Sequence, residues 1–131
     1  MPNPTVLIVD DDRGNCAIVA RCLTQQGYEV DVAYNGLQAL AMVQEKPYRL
    51  GMLDYQMPGM DGVELYQRIT EVRPGMIGVF LTSYASINTV FSAIGVGVER
   101  VLSKPVDFRE LVPLVEELIG KAAATNGAAK K

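Results

Sequence analysis

Five short apolar runs alternate along this chain with stretches in which apolar positions recur every three or four residues. The runs near residues 5 to 10, 29 to 33, 49 to 54, 77 to 82 and 100 to 103 have strand length and predict β-strands. Cys16, Val19, Ala20 and Leu23 fall at i, i+3, i+4 and i+7, as do Ile87, Val90, Phe91 and Ile94, and again Leu111, Leu114, Val115 and Leu118. Each set lines one face of a helix. Two further helices follow from Leu37, Leu40 and Val43 and from Leu65, Tyr66 and Ile69, with Gly27 and Gly36 as boundary residues. Strands alternating with helices predict an α/β fold on a parallel sheet. Asp107-Phe108-Arg109-Glu110 resembles a capping box, yet Pro113 falls about six positions into that helix and removes a backbone hydrogen bond. The last helix is therefore expected to start later or to bend there.

The polar residues that end these runs sharpen the picture. Asp10 and Asp11 follow Val6-Leu7-Ile8-Val9, Asp54 follows the run from Leu50 to Leu53, Thr82 follows Ile77 to Leu81, and Lys104 comes after Val101-Leu102. In a parallel sheet all strands end on one side, and ligands bind in the crevice outside those carboxyl ends. The interval from Asp11 to Asp54 fits two strand-helix-strand crossovers and each later interval fits one, at ~30 residues per crossover. Taken singly, each residue has a plainer reading. The Asp10 to Asp12 run is a solvated strand end, Thr82 a strand-end cap, Lys104 a snorkelling surface charge, Met57-Pro58-Gly59 a turn and Asp61-Gly62 a helix start. Met42, Met52, Met57, Met60 and Met76 read as core or loop filler, and the Ile87 to Ile94 stripe as packing on the sheet. The joint spacing overturns the plain readings of the polar set.

Length and charge then bound the function. A chain of 131 residues fits one domain with a three-layer core, assigned to residues 1–121; residues 122–131, small and polar, read as a flexible tail or linker remnant. The net charge of −3 gives no bulk attraction to nucleic acid or to an anionic membrane. No apolar stretch nears the ~20 residues of a membrane span, and Met1-Pro2-Asn3-Pro4 lacks signal-peptide character, so the expected compartment is the cytoplasm. Cys16 and Cys22, six apart on one helix, are set roughly 9 Å apart by the helical rise, beyond the ~7 Å reach of a disulfide, and read as reduced thiols. The chain has no His, and nothing resembles a zinc site.

Asp10, Asp11 and Asp54 brought together repel, which raises at least one carboxyl pKa unless a cation neutralises them. Mg2+ suits the set, because it takes oxygen ligands and typically uses one or two carboxylates with a phosphoryl oxygen. Lys104 and Thr82 turn the reading towards phosphoryl chemistry, the ammonium pairing with one anionic oxygen and the hydroxyl donating to another. Carboxylates form aspartyl phosphates, and Asp54, single and followed by a loop, is the candidate nucleophile.

Val9-Asp10-Asp11-Asp12, Asp54-Tyr55-Gln56-Met57-Pro58-Gly59-Met60-Asp61-Gly62, Leu81-Thr82-Ser83 and Lys104-Pro105 together resemble the receiver domain of two-component response regulators, over about residues 5 to 120. The resemblance implies a flavodoxin-like, doubly wound five-stranded sheet of order 2-1-3-4-5 with helices on both faces, an order the general rule for such folds already assigns to relatives. It implies Asp54 as phosphoacceptor, Asp10 and Asp11 as the acidic pair around Mg2+, the Gln56 carbonyl as a further metal ligand, Thr82 as switch hydroxyl, Lys104 as phosphoryl partner, and a cis Lys104-Pro105 peptide. Partners implied are a histidine kinase or phosphotransfer protein in trans, since the chain has no His, and a downstream output protein or domain. A homodimer through the Ile87–Ile94 helix, the fifth strand and the last helix is a further implication. Such a module is no enzyme beyond catalysing its own phosphorylation and dephosphorylation.

Two departures from the family pattern stand out. Val101 occupies a position usually aromatic, so the aromatic rotor of the switch is missing. Gln56 and Tyr84 flank the phosphoryl group, where their bulk is expected to hinder the hydrolytic water. Two alternatives remain at this point. One is an Asp-nucleophile phosphatase of the haloacid-dehalogenase type, which resembles Asp-x-Asp at the nucleophile, whereas here Gln56 stands two after Asp54. The other is an unphosphorylated interaction module. Flavin binding is disfavoured because no Ser/Thr/Gly-rich phosphate loop follows the first strand.

Overall fold

The computed structural model describes residues 5–83 and 95–128. The strands are β1 (Thr5–Val9), β2 (Glu29–Ala33), β3 (Leu50–Asp54), β4 (Ile77–Thr82) and β5 (Arg100–Ser103); the helices are α1 (Arg13–Gln25), α2 (Gly36–Glu45), α3 (Gly62–Val72) and α4 (Phe108–Ala128). All strand pairs are parallel, in the order β2-β1-β3-β4-β5. This is the expected doubly wound flavodoxin-like sheet. The expected helix over Ile87–Ile94 and the position of Tyr84 lie outside the described residues.

Strand alternation sends successive side chains to opposite faces, which makes two cores. Val6, Ile8, Leu50, Met52, Val79, Leu81 and Leu102 pack against the buried stripes of α1 and α4. Leu7, Val9, Leu53 and Phe80 face the stripes of α2 and α3. The central strands are buried on both sides, which explains their unbroken apolar runs.

Three helices start from a loop at the carboxyl edge of the sheet with an acidic or amide cap. Asp12, Asn35 and Asp61 accept the backbone N–H of Asn15, Gln38 and Glu64 at 3.0, 2.8 and 2.9 Å, each cap contributing ~1 kcal/mol. α1 is followed, past its cap Gln26, by Gly27, whose φ of 96° is the left-handed turn that glycine adopts without strain. α3 lies so close to the site strand that a Cβ on Gly62 would come within 2.8 Å of the Asp54 carbonyl oxygen. Glycine there sets the distance between helix and site.

The sequence expectation differs in two places. Leu37 was expected to face inward on α2, but it is 72% exposed, and Gly36, Ala39 and Val43 form the buried face. Gly36 lies against the Met60 side chain, where a Cβ would come within 2.7 Å of its sulfur, and Leu37 is left on the solvent side. Of the two expectations for the last helix, the later start is not met: it begins at Phe108, with Arg109 N donating to Asp107 Oδ1 at 2.9 Å, and carries Pro113 within it. It also runs to Ala128, so the backbone of residues 122–128 is helical; alanine-rich sequence has high intrinsic helix propensity.

Candidate functional site

β1, β3 and β4 deliver Asp10, Asp54 and Thr82 to one edge of the sheet, and the chain leaving β5 brings in Lys104. Asp10 is fully buried, and Asp54 and Thr82 are 5% and 2% exposed. Carboxyl oxygens of Asp10, Asp11 and Asp54 lie within 4.8 Å of one another, with Asp11 on the solvent side. The Lys104 ammonium stands 2.8 Å from Asp10 Oδ2 and 3.4 Å from Asp54 Oδ2. The five residues expected from the strand ends therefore share one edge, with Asp10, Asp11, Asp54 and Lys104 forming one charge cluster.

Backbone contacts fix the frame. Lys104 N donates to Thr82 O at 2.7 Å, Tyr55 N to Leu81 O at 2.7 Å and Gly62 N to Tyr55 O at 2.9 Å. Gln56 N points at Asp54 Oδ1 from 3.4 Å, and the Gln56 residue itself is exposed at the mouth. The Lys104-Pro105 peptide is cis, as the resemblance implied.

The two buried aspartates are pushed in opposite directions. Burial raises the Asp10 carboxyl, but the Lys104 ammonium, the Asp12 N–H and the Asn15 amide outweigh it and hold the group below the ordinary carboxylate value. Burial raises Asp54 as well, the Asp10 charge adds to that, and its more distant donors leave it at about 6. Burial lowers Lys104, but its two carboxylates more than offset this, so it stays an ammonium. Asp10 is thus a fixed anion, while Asp54 is an anion under strain from its neighbour, held where a cation or an electrophile would relieve it.

Two contributors were invisible in the strand pattern. Asn15 Nδ2 donates to Asp10 Oδ2 at 2.7 Å, and Cys16 Sγ donates to the Asp10 carbonyl at 3.3 Å. Burial, and next the Asp10 charge, push the Cys16 thiol up to about 11, so it remains a neutral donor. Cys22 is half-buried, and both cysteines are free. The only available signal for Asn15 was a polar residue three after the Asp12 cap, in a first turn that also faces the site.

The remaining candidates are placed as follows. Val101 pairs with Phe80 across β4 and β5 and is partly buried against the α2/α3 core. Met52, Met60 and Met76 are core residues, and Met42 and Met57 pack against that core. No helix among the described residues is long and apolar enough to cross a membrane.

Comparison with known proteins agrees with this geometry. The family model for the response regulator receiver domain matches residues 6–116. The transcriptional regulatory protein ZraR of Klebsiella oxytoca is 38% identical over 114 residues, which are 87% of this chain and 26% of that protein. The chain thus spans about a quarter of the length of such regulators. The response regulator receiver protein CpdR of Brucella abortus is 33% identical over 114 residues, 95% of its length. Among solved structures, a CheY-like response regulator receiver domain protein from Methanospirillum hungatei JF-1 superposes with a TM-score of 0.89 at 29% identity, covering 94% of this chain and 98% of the other. A chain whose family match takes in all five strands and every charged group at the sheet edge belongs to the response regulator receiver domain family.

Proposed function

We propose that residues 1–121 form a phosphorylation-dependent switch in which Asp54 accepts a phosphoryl group and Lys104 pairs with it. The observation that carries this reading is the position of one ammonium 2.8 Å from Asp10 and 3.4 Å from Asp54. The better-donated Asp10 holds the cation, and Asp54 keeps oxygen lone pairs open at the mouth. An Asp54 oxygen attacks phosphorus in line, an O–P bond forms, and the donor's N–P or acyl O–P bond breaks with the electron pair leaving on the donor. Lys104 offers its ammonium to the transferred oxygens, and Thr82, at the end of the neighbouring strand, offers its hydroxyl.

The donor set fits Mg2+, three carboxylates with oxygens within 4.8 Å and one of them raised by burial and by another's charge. Asp10, Asp11, Asp54 and the Gln56 carbonyl would hold it; bound, it supplies positive charge for the phosphoryl oxygens. The phosphoryl group comes from a histidine kinase or phosphotransfer protein, or from a small acyl phosphate, since these 131 residues carry no His to supply it. The signal passes to an output protein or domain, and the working compartment is the cytoplasm. Incubation with Mg2+ and acetyl phosphate, followed by intact mass, tests the reading. One phosphoryl adduct that hydroxylamine removes and that Asp54→Asn lacks is expected. An equal adduct on the Asp54→Asn protein would overturn the assignment.

A further inference from the structure

We infer that Asn15 is a positioning residue that holds Asp10 in place when Lys104 turns from Asp10 to the phosphoryl group, an inference that rests on the switch reading above. Asp10 sits in a closed ring of hydrogen bonds. Its Oδ1 accepts from Asp12 N at 2.9 Å, Asp12 Oδ1 accepts from Asn15 N at 3.0 Å, and Asn15 Nδ2 returns to Asp10 Oδ2 at 2.7 Å. The same Oδ2 also accepts the Lys104 ammonium at 2.8 Å. One oxygen thus has two donors, one charged and one neutral.

The two donors differ in what phosphorylation asks of them. Lys104 is on a long, flexible stem and is already within 3.4 Å of Asp54; a phosphoryl dianion there draws it further over. Asp10 is fully buried, and a buried carboxylate that loses its cation without another donor is strongly disfavoured. Asn15 remains on that oxygen because its backbone is pinned in the first turn of α1 by the Asp12 cap. Being neutral, the amide does not follow the new negative charge. Only its nitrogen can occupy the contact, since the amide oxygen would set two acceptors face to face. Without Asn15, Lys104 is the sole side chain among the described residues paired with Asp10 Oδ2. It is then held more tightly on Asp10 and is less available to Asp54.

The test uses Asn15→Ala and Asn15→Leu, the second keeping the side-chain bulk while lacking the donor. Titrations with Mg2+ and then with beryllofluoride, a phosphoryl mimic, are followed by tyrosine fluorescence, and the Lys104 Nζ signal by NMR in the ion-free protein. Both variants are expected to bind beryllofluoride about tenfold more weakly, with the Mg2+ midpoint within twofold of wild type and a displaced Lys104 signal before any ion is added. Beryllofluoride affinity within twofold of wild type in both variants would overturn the inference, as would an equal loss of Mg2+ affinity. Wild-type protein that binds no beryllofluoride through Asp54, with Asp54→Asn as reference, would instead overturn the switch reading itself.

Discussion

Two lysines in this fold are each shared between two carboxylates, one at either end of the sheet. Lys46 contacts Glu29 and Asp31 on the edge strand β2, and Tyr48 donates to the same Asp31 oxygen at 2.7 Å. Lys104 contacts Asp10 and Asp54 at the carboxyl edge. The Lys46 trio is open to water, with side chains 36%, 50% and 35% exposed, while the Lys104 trio is 20%, 0% and 7% exposed. Water screens the first set, and burial there, though it raises Asp31, is outweighed by Tyr48 and Lys46, so that the carboxyl lies below its ordinary value. In the second set one carboxylate is lowered and the other raised to about 6. The same residue types tie an edge strand where solvent reaches them and store electrostatic stress where it does not. The chemistry of the carboxyl edge is a product of burial.

The largest difference is expected on removing each lysine. Lys104→Ala leaves two buried carboxylates facing each other and should lower stability at pH 8 without metal by about 3 kcal/mol. Lys46→Ala should shift the denaturant midpoint several-fold less. Urea unfolding of both variants checks this, and equal losses would dissolve the comparison.

Next comes pH. Asp54 has a folded pKa of about 6 against 3.8 unfolded, so the folded state binds the extra proton between these values. Its effect is to destabilise the ion-free fold as pH rises from about 4 to 6, reaching on the order of 2–3 kcal/mol at neutral pH. The lowered Asp31 and Asp10 act with opposite sign, their contribution present above the unfolded value of 3.8 and lost as pH falls through their folded values. Asp54→Asn should therefore be more stable than wild type at pH 7.5 without metal, and its stability curve should be flat between pH 4 and 6. A wild-type curve that rises across that window would contradict the assignment.

Mg2+ should relieve the same stress, with a gain of ~1.4 kcal/mol at ten times Kd. Thermal unfolding of Asp11→Ala should show most of that gain abolished. An undiminished shift would place the ion elsewhere.

These expectations trace back unevenly to the sequence. The strands and the five polar residues that gather at the carboxyl edge were legible because a fully buried parallel strand reads as an apolar run, and a polar group at its end has only one edge to occupy. Lys46, Tyr48 and Asp31 carried no comparable signal, since they meet across elements with no periodicity linking them. Asn15 was hidden for a related reason: a polar residue in a first helical turn looks solvated, and only the fold brings its amide onto a buried carboxylate. Leu37 misled because apolar character was read without regard to size, while the buried face of α2 is made by Gly36, Ala39 and Val43.

The smallest expected effect concerns how far the stress travels. Val101 is β-branched and confined near one χ1 well, so a phosphoryl mimic should move amide NMR signals around Val101 less than those of Thr82 and Ser83. Equal shifts would show that β5 responds without an aromatic rotor.

On the switch reading, burial makes Asp54 the reactive member of its trio. Intact mass after acetyl phosphate and Mg2+, run on wild type, Asp54→Asn and Asp31→Asn in parallel, tests it most directly. A single hydroxylamine-labile phosphoryl adduct on wild type and on Asp31→Asn, absent from Asp54→Asn, is the predicted result. An adduct that persists in Asp54→Asn, or that disappears with Asp31→Asn alone, would contradict it.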